Sequence, residues 1–313
     1  MIWMHIGTNK TGSTALQHHL SKKLPEELGR YGLTYVRPKR KSSSNGLVWA
    51  LNKRKKDVQR EISAQLTAQL EGRDTEHALI SSEMFYGTHP EEILDAVPVL
   101  RSEPVVVLVY FRRQDLYLEA MYLQRLKNGR FFGSIQDYIA HFQGSGSDYY
   151  EELKPWEDLP NTTLLPRIYE RARLHRQSVV SDVCQLLGLP EADLSYAPVS
   201  ASPSKSRATL LSVLAESSSV NVRQVQRVLM REYPETSAER AIFFTPEERN
   251  SFFDSFADGN EALRQAYFSD RDTLFDMSGL GDSAPEPDPA GFSTTQIEEL
   301  RCLFRVLEET NFK

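Results

Sequence analysis

The sequence predicts an α/β fold, in which helices flank a parallel β-sheet, with a helical C-terminal portion. Short apolar segments alternate with helical segments over the first half of the chain, which is the pattern of βαβ units. One of them, Val105–Phe111, is apolar or aromatic throughout, as expected of a central strand covered on both faces. From about residue 180 onward the apolar spacing is helical.

Five short strands are predicted. The first, at residues 2–6, is an apolar segment that ends in Gly7. The others are at residues 33–36, 78–81, 105–111 and 163–165. Between the first two strands, Leu16, Leu20 and Leu24 recur at every fourth position and therefore share one face of a helix. A loop is expected at residues 42–46 and a helix at about 58–70.

The C-terminal half is predicted to be helical. The expected helices are at residues 179–187, 209–216, 220–232, 246–257 and 261–267. Residues 281–291 are rich in Pro, Asp and Gly, which is typical of a linker. The expected organisation is one α/β domain over residues 1–280, this linker, and a C-terminal helix within 292–313.

Composition limits the class of protein. The chain has 313 residues, of which 40% are apolar and 26% charged, as in ordinary globular proteins. No segment approaches the roughly 20 apolar residues of a membrane-spanning helix, so no membrane insertion is expected. The N-terminus lacks the features of an export signal, and the two cysteines, Cys184 and Cys302, cannot form a disulfide framework. A cytoplasmic protein with reduced thiols is expected.

Charge is unevenly distributed. The net charge is −6, but residues 1–60 contain thirteen Lys or Arg and three Asp or Glu, a local charge of +10. A basic section in an acidic protein indicates a local anionic ligand rather than general nucleic-acid binding. For the run at residues 53–56, a solvated loop is the alternative interpretation.

The segment between the first strand and the first helix, residues 7–14, is typical of an anion-binding loop. Gly7 and Gly12 permit a tight turn, and main-chain N–H groups at a helix start favour phosphate or sulfate. Hydroxyls of Ser13 and Thr14 add donors. The glycines have the spacing of the nucleoside-triphosphate loop, but Ser13 stands where that loop has lysine, and the cation is Lys10. This argues against a kinase or ATPase and for a ligand that needs no metal. An unoccupied glycine turn is the alternative.

Residues 5–17 resemble the 5′-phosphosulfate loop of sulfotransferases, in particular bacterial enzymes thought to act on carbohydrates or small molecules. Lys10, Gly12, Ser13 and Thr14 match the motif. The resemblance implies a sheet like that of nucleotide-loop kinases. It also implies the donor 3′-phosphoadenosine 5′-phosphosulfate (PAPS), the product 3′-phosphoadenosine 5′-phosphate (PAP), and no metal. The donor-binding residues would be Thr8, Asn9, Lys10, Thr11, Gly12, Ser13, Thr14 and Arg112.

Arg112 follows the apolar strand 105–111 and matches the family's arginine for the donor's 3′-phosphate. The family's partner serine, eight residues later, is Ala120 here. Ser204, Lys205 and Arg207 are the candidate replacements for this missing hydrogen-bond donor. Because the serine is absent, a nucleotide-binding module without catalytic activity is an alternative function. For Arg112, and for its neighbour Arg113, a salt bridge near the helix start is the alternative.

By resemblance, Lys10 would stabilise the bridging oxygen of the donor. Glu83, just past the third strand, is the candidate base for the acceptor's proton. A carboxylate that caps a helix start is the alternative for Glu83, and the alternative bases are His18, His19, His77 and His89. The acceptor is expected to be a small molecule or a glycan that offers a hydroxyl or an amine. It would be bound by the aromatic and basic residues of 117–132 or by the lysine-rich region 39–56. A nucleotide-dependent kinase is the competing enzyme.

Overall fold

The computed structural model describes most of the chain. The described residues are 1–23, 25–142, 146–190, 203–215, 221–232 and 242–278. The linker expected at 281–291, the helix expected within 292–313, and Leu24 and Cys302 lie outside them. The chain divides into two compact units, the first of which contains the sheet, and the single domain over 1–280 stays a prediction.

The first unit contains a five-stranded sheet in which every pair of neighbouring strands is parallel, and helices flank it, which confirms the predicted fold class. The strands are β1 (Ile2–Gly7), β2 (Leu33–Val36), β3 (His77–Ser81), β4 (Val105–Phe111) and β5 (Thr162–Ile168). All five lie where the sequence predicts them, and only β5 is clearly longer than predicted. Their order is β2-β3-β1-β4-β5.

This order makes the region outside the carboxyl ends of β1 and β4 a topological switch point, which is called the crevice below. The chain leaves β1 toward β2 on one side of the sheet and leaves β4 toward β5 on the other. Ligands of open parallel sheets bind outside the carboxyl ends of strands at such a switch point. The segments that follow β1 and β4 are therefore the expected site.

Helices surround the sheet in the first unit and form the second. They are α1 (Ser13–Lys22), α2 (Pro25–Gly29), α3 (Asn45–Asn52), α4 (Lys56–Glu71), α5 (Pro90–Ala96), α6 (Gln114–Lys127), α7 (Ile135–Phe142), α8 (Tyr149–Glu157), α9 (Val179–Leu186), α10 (Lys205–Ala215), α11 (Val222–Glu232), α12 (Pro246–Asp254) and α13 (Ala257–Tyr267). The helical character predicted beyond residue 180 is confirmed for the described residues.

One predicted loop is wrong. Residues 45 and 46, expected in a loop at 42–46, are the first residues of α3. The reason is burial, because α3 packs Leu47, Val48 and Ala50 into the first unit. This apolar face is short and follows three serines, which obscures it in the sequence.

A buried carboxylate ties the core of the first unit together. Asp182 on α9 is 2% exposed and accepts a hydrogen bond from Tyr110 Oη on β4 at 2.6 Å. The Arg167 guanidinium on β5 donates to both of its oxygens, at 2.7 and 2.8 Å. Burial and this carboxylate raise the pKa of Tyr110. These hydrogen bonds thereby hold α9 against β4 and β5.

The second unit contains α6, α7, α10, α11 and α12 around an aromatic-rich core. Arg249 on α12 is fully buried and forms ion pairs with Asp115 and Glu119 on α6. Glu119 Oε1 also accepts from the Phe243 amide at 3.0 Å. Each carboxylate of this cluster is thus paired with the Arg249 guanidinium inside the protein.

Among the described residues, no helix is long and apolar enough to cross a membrane. The same part of the chain contains no group of three or more His, Cys, Asp or Glu side chains suited to hold a metal ion.

Candidate functional site

The segment between β1 and α1 has an unusual backbone conformation. Gly7, Lys10 and Gly12 all have positive φ angles, of 116°, 64° and 88°. Gly12 is the residue before α1 and provides no side-chain cap. Alternation of left-handed and ordinary residues turns successive N–H groups toward one side, the geometry of an anion-binding nest. For Lys10 this conformation costs about 1 kcal/mol, since it is not a glycine.

Side-chain hydroxyls hold the loop in this shape. Thr8 Oγ1 donates to the carbonyl of Tyr110 on β4 at 3.0 Å, and Thr11 Oγ1 donates to the carbonyl of Thr8 at 2.7 Å. Both threonines are fully buried. Ser13 Oγ donates to the same Thr8 carbonyl at 3.3 Å, while Thr14 is exposed. The threonine hydroxyls therefore fasten the loop to itself and to β4.

The main-chain N–H groups of the loop remain available. Within the described residues, those of Asn9, Thr11, Gly12, Ser13 and Thr14 donate no hydrogen bond. Thr11 and Ser13 are buried, and an unpaired buried N–H costs about as much as a lost hydrogen bond. Five N–H groups that donate no hydrogen bond to any described residue lie within residues 9–14, at the positive end of α1, and together they form a site for an anion.

Arg112, directly after β4, is brought to this loop. Its Nη1 donates to the carbonyl of Lys10 at 3.2 Å, and its guanidinium carbon lies 5.9 Å from the ring centroid of Tyr169. The Arg112 carbonyl accepts from Tyr149 Oη at 2.5 Å. Lys10 and Arg112 thus give two cationic residues in contact at the crevice. The neighbouring Arg113 contacts a different segment, because its Nη1 donates to the carbonyl of Asp276 at 2.6 Å.

Close packing leaves no room for side chains at either glycine. A Cβ on Gly12 would lie 2.5 Å from Val179 Cγ1, at the start of α9. A Cβ on Gly7 would lie 3.0 Å from the Cα of Glu83. The second contact places the turn after β3 directly against the end of β1, so Glu83 belongs to the same edge of the sheet.

Two amide side chains hold the Glu83 carboxylate. Gln17 Nε2, on α1, donates to Glu83 Oε2 at 2.7 Å. Asn45 Nδ2, at the start of α3, donates to Glu83 Oε1 at 2.8 Å. The capping alternative for Glu83 is wrong, because the following helix, α5, begins at Pro90 and is capped by His89.

Further hydrogen bonds orient both amides. Ser82 Oγ donates to Asn45 Oδ1 at 2.7 Å, which leaves the Asn45 nitrogen to face Glu83. Gln17 Nε2 also lies 3.1 Å from Ser81 Oγ, which is 2.8 Å from Nδ1 of the buried His5. Burial lowers the pKa of His5 to about 4. The network thus runs from a neutral histidine in the core to a half-buried carboxylate at the crevice.

The other candidate bases lie elsewhere. His77 begins β3 and is therefore at the opposite, amino edge of the sheet. His89 accepts from the Glu91 amide as the cap of α5. His18 and His19 follow Gln17 on α1, and His19 lines a small cavity with Lys23 and residues of α2. His19 Nε2 lies 4.0 Å from Cys184 Sγ, and His77 Nε2 lies 3.8 Å from the Glu76 carboxylate.

Within the second unit, Ala120 lies on α6, and the three candidate replacements lie at the start of α10, which packs against α6. Ser204 Oγ accepts from the Arg207 amide at 3.2 Å, and Arg207 is 5% exposed. Burial lowers the pKa of Lys205, and the nearby Glu119 opposes that shift. Their role in place of the serine stays a prediction.

Sequence reasoning missed Gln17 and Asn45. Gln17 had a signal, because it lies four residues after Ser13 and so shares a helix face with the anion loop. Asn45 had none, since its partner Glu83 is 38 residues away and the loop–helix boundary was misplaced.

No family model matches the chain. A protein of Archaeoglobus fulgidus, described as uncharacterized, is 30% identical over 196 residues, which are 61% of this chain and 53% of that protein. This match spans about half the length of that relative.

Two similar solved structures are sulfotransferases. That of Alicyclobacillus acidocaldarius is 16% identical with a TM-score of 0.45, covering 84% of this chain and 94% of its own. Mouse sulfotransferase SULT7A1, complexed with PAP, is 12% identical with a TM-score of 0.39, covering 85% of each chain.

Proposed function

We propose that the protein is a sulfotransferase that uses PAPS as donor and transfers its sulfuryl group to a hydroxyl of a glycan or small-molecule acceptor. The observation that carries the proposal is the set of N–H groups of Asn9 and residues 11–14 that donate no hydrogen bond within the described residues, in a loop that also carries the cation Lys10 and that Arg112 contacts. Amide hydrogens and two cations in one crevice suit a ligand with more than one anionic group.

The residue types favour a sulfate donor over a magnesium-bound triphosphate. The lysine that reaches the terminal phosphates in the triphosphate loop is Ser13 here, and its hydroxyl donates to the carbonyl of Thr8. Lys10 occupies the middle of the loop instead. The N–H groups would hold the 5′-phosphosulfate, and Arg112 would bind the 3′-phosphate with a planar fork of donors.

PAPS supplies an activated sulfuryl group, which leaves the phosphate oxygen as the acceptor oxygen bonds to sulfur. Lys10 would stabilise the negative charge that develops on that phosphate oxygen. Glu83 would accept the proton of the acceptor hydroxyl, with its carboxylate aimed by Gln17 and Asn45. Gln17 and Asn45 are then positioning residues, since they touch Glu83 rather than the reacting atoms.

One observation favours a second function, a nucleotide-binding module without activity. Ala120 lacks the hydroxyl that the resemblance places on the 3′-phosphate, and a hydrogen bond to a charged group contributes about 1.5–3 kcal/mol. Such a module would bind PAP and transfer nothing. A kinase would prefer ATP with magnesium.

Calorimetric titration separates these functions. We expect PAP to bind without added metal and ATP with magnesium to bind at least tenfold more weakly. Preference for ATP with magnesium would contradict the proposal. Transfer of labelled sulfate from PAPS to a panel of hydroxyl acceptors then distinguishes the enzyme from the module.

Variants of the loop test its parts. Lys10→Gly is compatible with the positive φ angle, so the fold should be retained or slightly stabilised, while turnover falls about a hundredfold or more with the cation. Arg112→Ala should weaken PAP binding strongly. Arg101→Ala, which removes an exposed arginine paired with Glu91 and Asp95, is the matched control and should leave PAP affinity unchanged.

A further inference from the structure

The outer face of α3 extends away from the Glu83 carboxylate. Asn45, the first residue of the helix, donates to Glu83, and Trp49 lies one turn later on the same side. Lys53 follows four residues after Trp49, at the end of the helix. At 1.5 Å of rise per residue, Trp49 and Lys53 lie about 6 and 12 Å along the helix from Asn45.

Packing does not explain Trp49. Its side chain is 47% exposed, whereas Leu47, Val48 and Ala50 on the same helix are buried. The helix therefore has its apolar face elsewhere, and a polar residue at position 49 would leave that face intact. A large exposed indole, one helical turn from the residue that donates to a candidate catalytic carboxylate, offers an apolar surface to a ligand. Its electron-rich face suits the C–H groups of a sugar ring.

Basic segments precede and follow α3 in the chain. They are Lys39, Arg40 and Lys41 before the helix and Lys53, Arg54, Lys55 and Lys56 after it, and all seven are exposed. None of the seven forms an ion pair within the described residues, whereas the nearby Arg60 pairs with Asp57 at 3.0 Å. Seven exposed cations on the segments that precede and follow this helix produce a local positive potential, which attracts a polyanion.

We propose that this face of α3, defined by Asn45, Trp49 and the basic segments 39–41 and 53–56, binds an acidic polysaccharide. A sugar ring stacks on Trp49, carboxylates of neighbouring uronic acids lie near the basic segments, and a hydroxyl is presented at Glu83. This last contact rests on the proposed sulfotransferase function, while the binding itself does not. Single-stranded RNA is disfavoured, because its binding uses several aromatic side chains for successive bases, and this face exposes one.

The test uses unsulfated chondroitin oligosaccharides of defined length as the probe, with neutral dextran oligosaccharides of equal length for comparison. We expect calorimetric binding of chondroitin, weakened by added salt, and no binding of dextran. Trp49→Ala should weaken chondroitin binding about tenfold. The double variant Lys53→Glu/Lys55→Glu should abolish it at physiological ionic strength.

Matched controls separate the face from general surface effects. Tyr31→Ala removes an aromatic side chain that is also 47% exposed, and Lys22→Glu reverses an exposed charge on another helix. Both should bind chondroitin like the unaltered protein. The proposal is overturned if chondroitin does not bind, if dextran binds equally, or if Trp49→Ala has no larger effect than Tyr31→Ala. Equal binding of oligouridylate of the same charge would also overturn it.

PAP titration of the same preparations distinguishes this inference from the proposed function. PAP binding without chondroitin binding contradicts the docking face and leaves the donor site supported. Chondroitin binding with the expected variant effects but without PAP binding supports the face and contradicts the sulfotransferase.

Discussion

Carboxylates in the two units of this protein have different kinds of hydrogen-bond donor. In the second unit, Asp115 and Glu119 are buried and face the fully buried guanidinium of Arg249. In the first unit, Glu83 is half-buried, and its two oxygens accept from the neutral amides of Gln17 and Asn45.

The difference separates a structural carboxylate from one available for chemistry. An arginine neutralises its carboxylate partner, and the low dielectric of the interior makes that charge costly to disturb. An amide orients a carboxylate without cancelling its charge, so the group can still accept a proton. The partner of a carboxylate, rather than its burial alone, therefore indicates which acid in this chain is a candidate base.

The largest expected effect is on the buried ion cluster. Arg249→Met removes the guanidinium that forms ion pairs with two buried carboxylates and should lower the free energy of unfolding by about 3–5 kcal/mol. All three tryptophans, Trp3, Trp49 and Trp156, are in the first unit. Unfolding in guanidinium followed both by circular dichroism and by tryptophan fluorescence will therefore show whether the loss is confined to the second unit.

The triple variant Arg249→Met/Asp115→Leu/Glu119→Gln is the control, because it removes all three charges and keeps an oxygen for the Phe243 amide. It should regain most of the lost stability. A single variant as stable as the unaltered protein would show that the cluster is not structural.

Glu83→Gln should have the opposite profile. Turnover is expected to fall about a hundredfold, because a general base contributes at least that much, while the free energy of unfolding changes by at most about 1 kcal/mol. Steady-state kinetics with PAPS measure turnover, and a calorimetric titration with PAP measures donor binding separately. Retained turnover would remove Glu83 from the reaction.

His5 gives a smaller, pH-dependent effect. Its pKa in the folded protein is about 4, below the ordinary value of 6.5, so the unfolded chain takes up a proton first as the pH falls. Stability from this residue is therefore present above pH 6.5 and is lost as the pH falls toward 4, by about 2 kcal/mol between pH 7 and pH 5. Urea unfolding at the two pH values measures it. His5→Gln should lose correspondingly less, and an equal loss would contradict the assignment to His5.

The smallest expected effect is on the pH dependence of turnover. Asn45→Asp places a second carboxylate where an amide now donates to Glu83 at 2.8 Å. Like charges at this distance favour a shared proton, so the acidic limb of the pH–rate profile should move about one unit higher. Asn52→Asp, at the other end of α3, is the control and should leave the profile in place.

Local patterns predict the scaffold of this protein well. The apolar run 105–111 becomes β4, and the loop between Gly7 and Gly12 has the expected place between β1 and α1. These features depend on near neighbours in the chain. Arg112 was predictable as well, because any residue directly after a central parallel strand emerges at the ligand-binding edge.

The partners of the site residues were not predictable, since they depend on tertiary packing. Glu83 could equally have capped a helix, and only the positions of α1 and α3 bring Gln17 and Asn45 to it. Thr8 and Thr11 were expected to bind the donor, but their hydroxyls donate to main-chain carbonyls. A sequence identifies a hydroxyl near an anion loop without revealing whether it points inward or outward.

The unpaired amides of the loop also provide a way to observe it in solution. An N–H group without an acceptor exchanges its hydrogen with water rapidly, and a bound anion slows that exchange. Deuterium uptake by a peptide spanning residues 9–14 would therefore report occupancy of the crevice without turnover, an acceptor or a label. A screen for unknown ligands could begin from that signal alone.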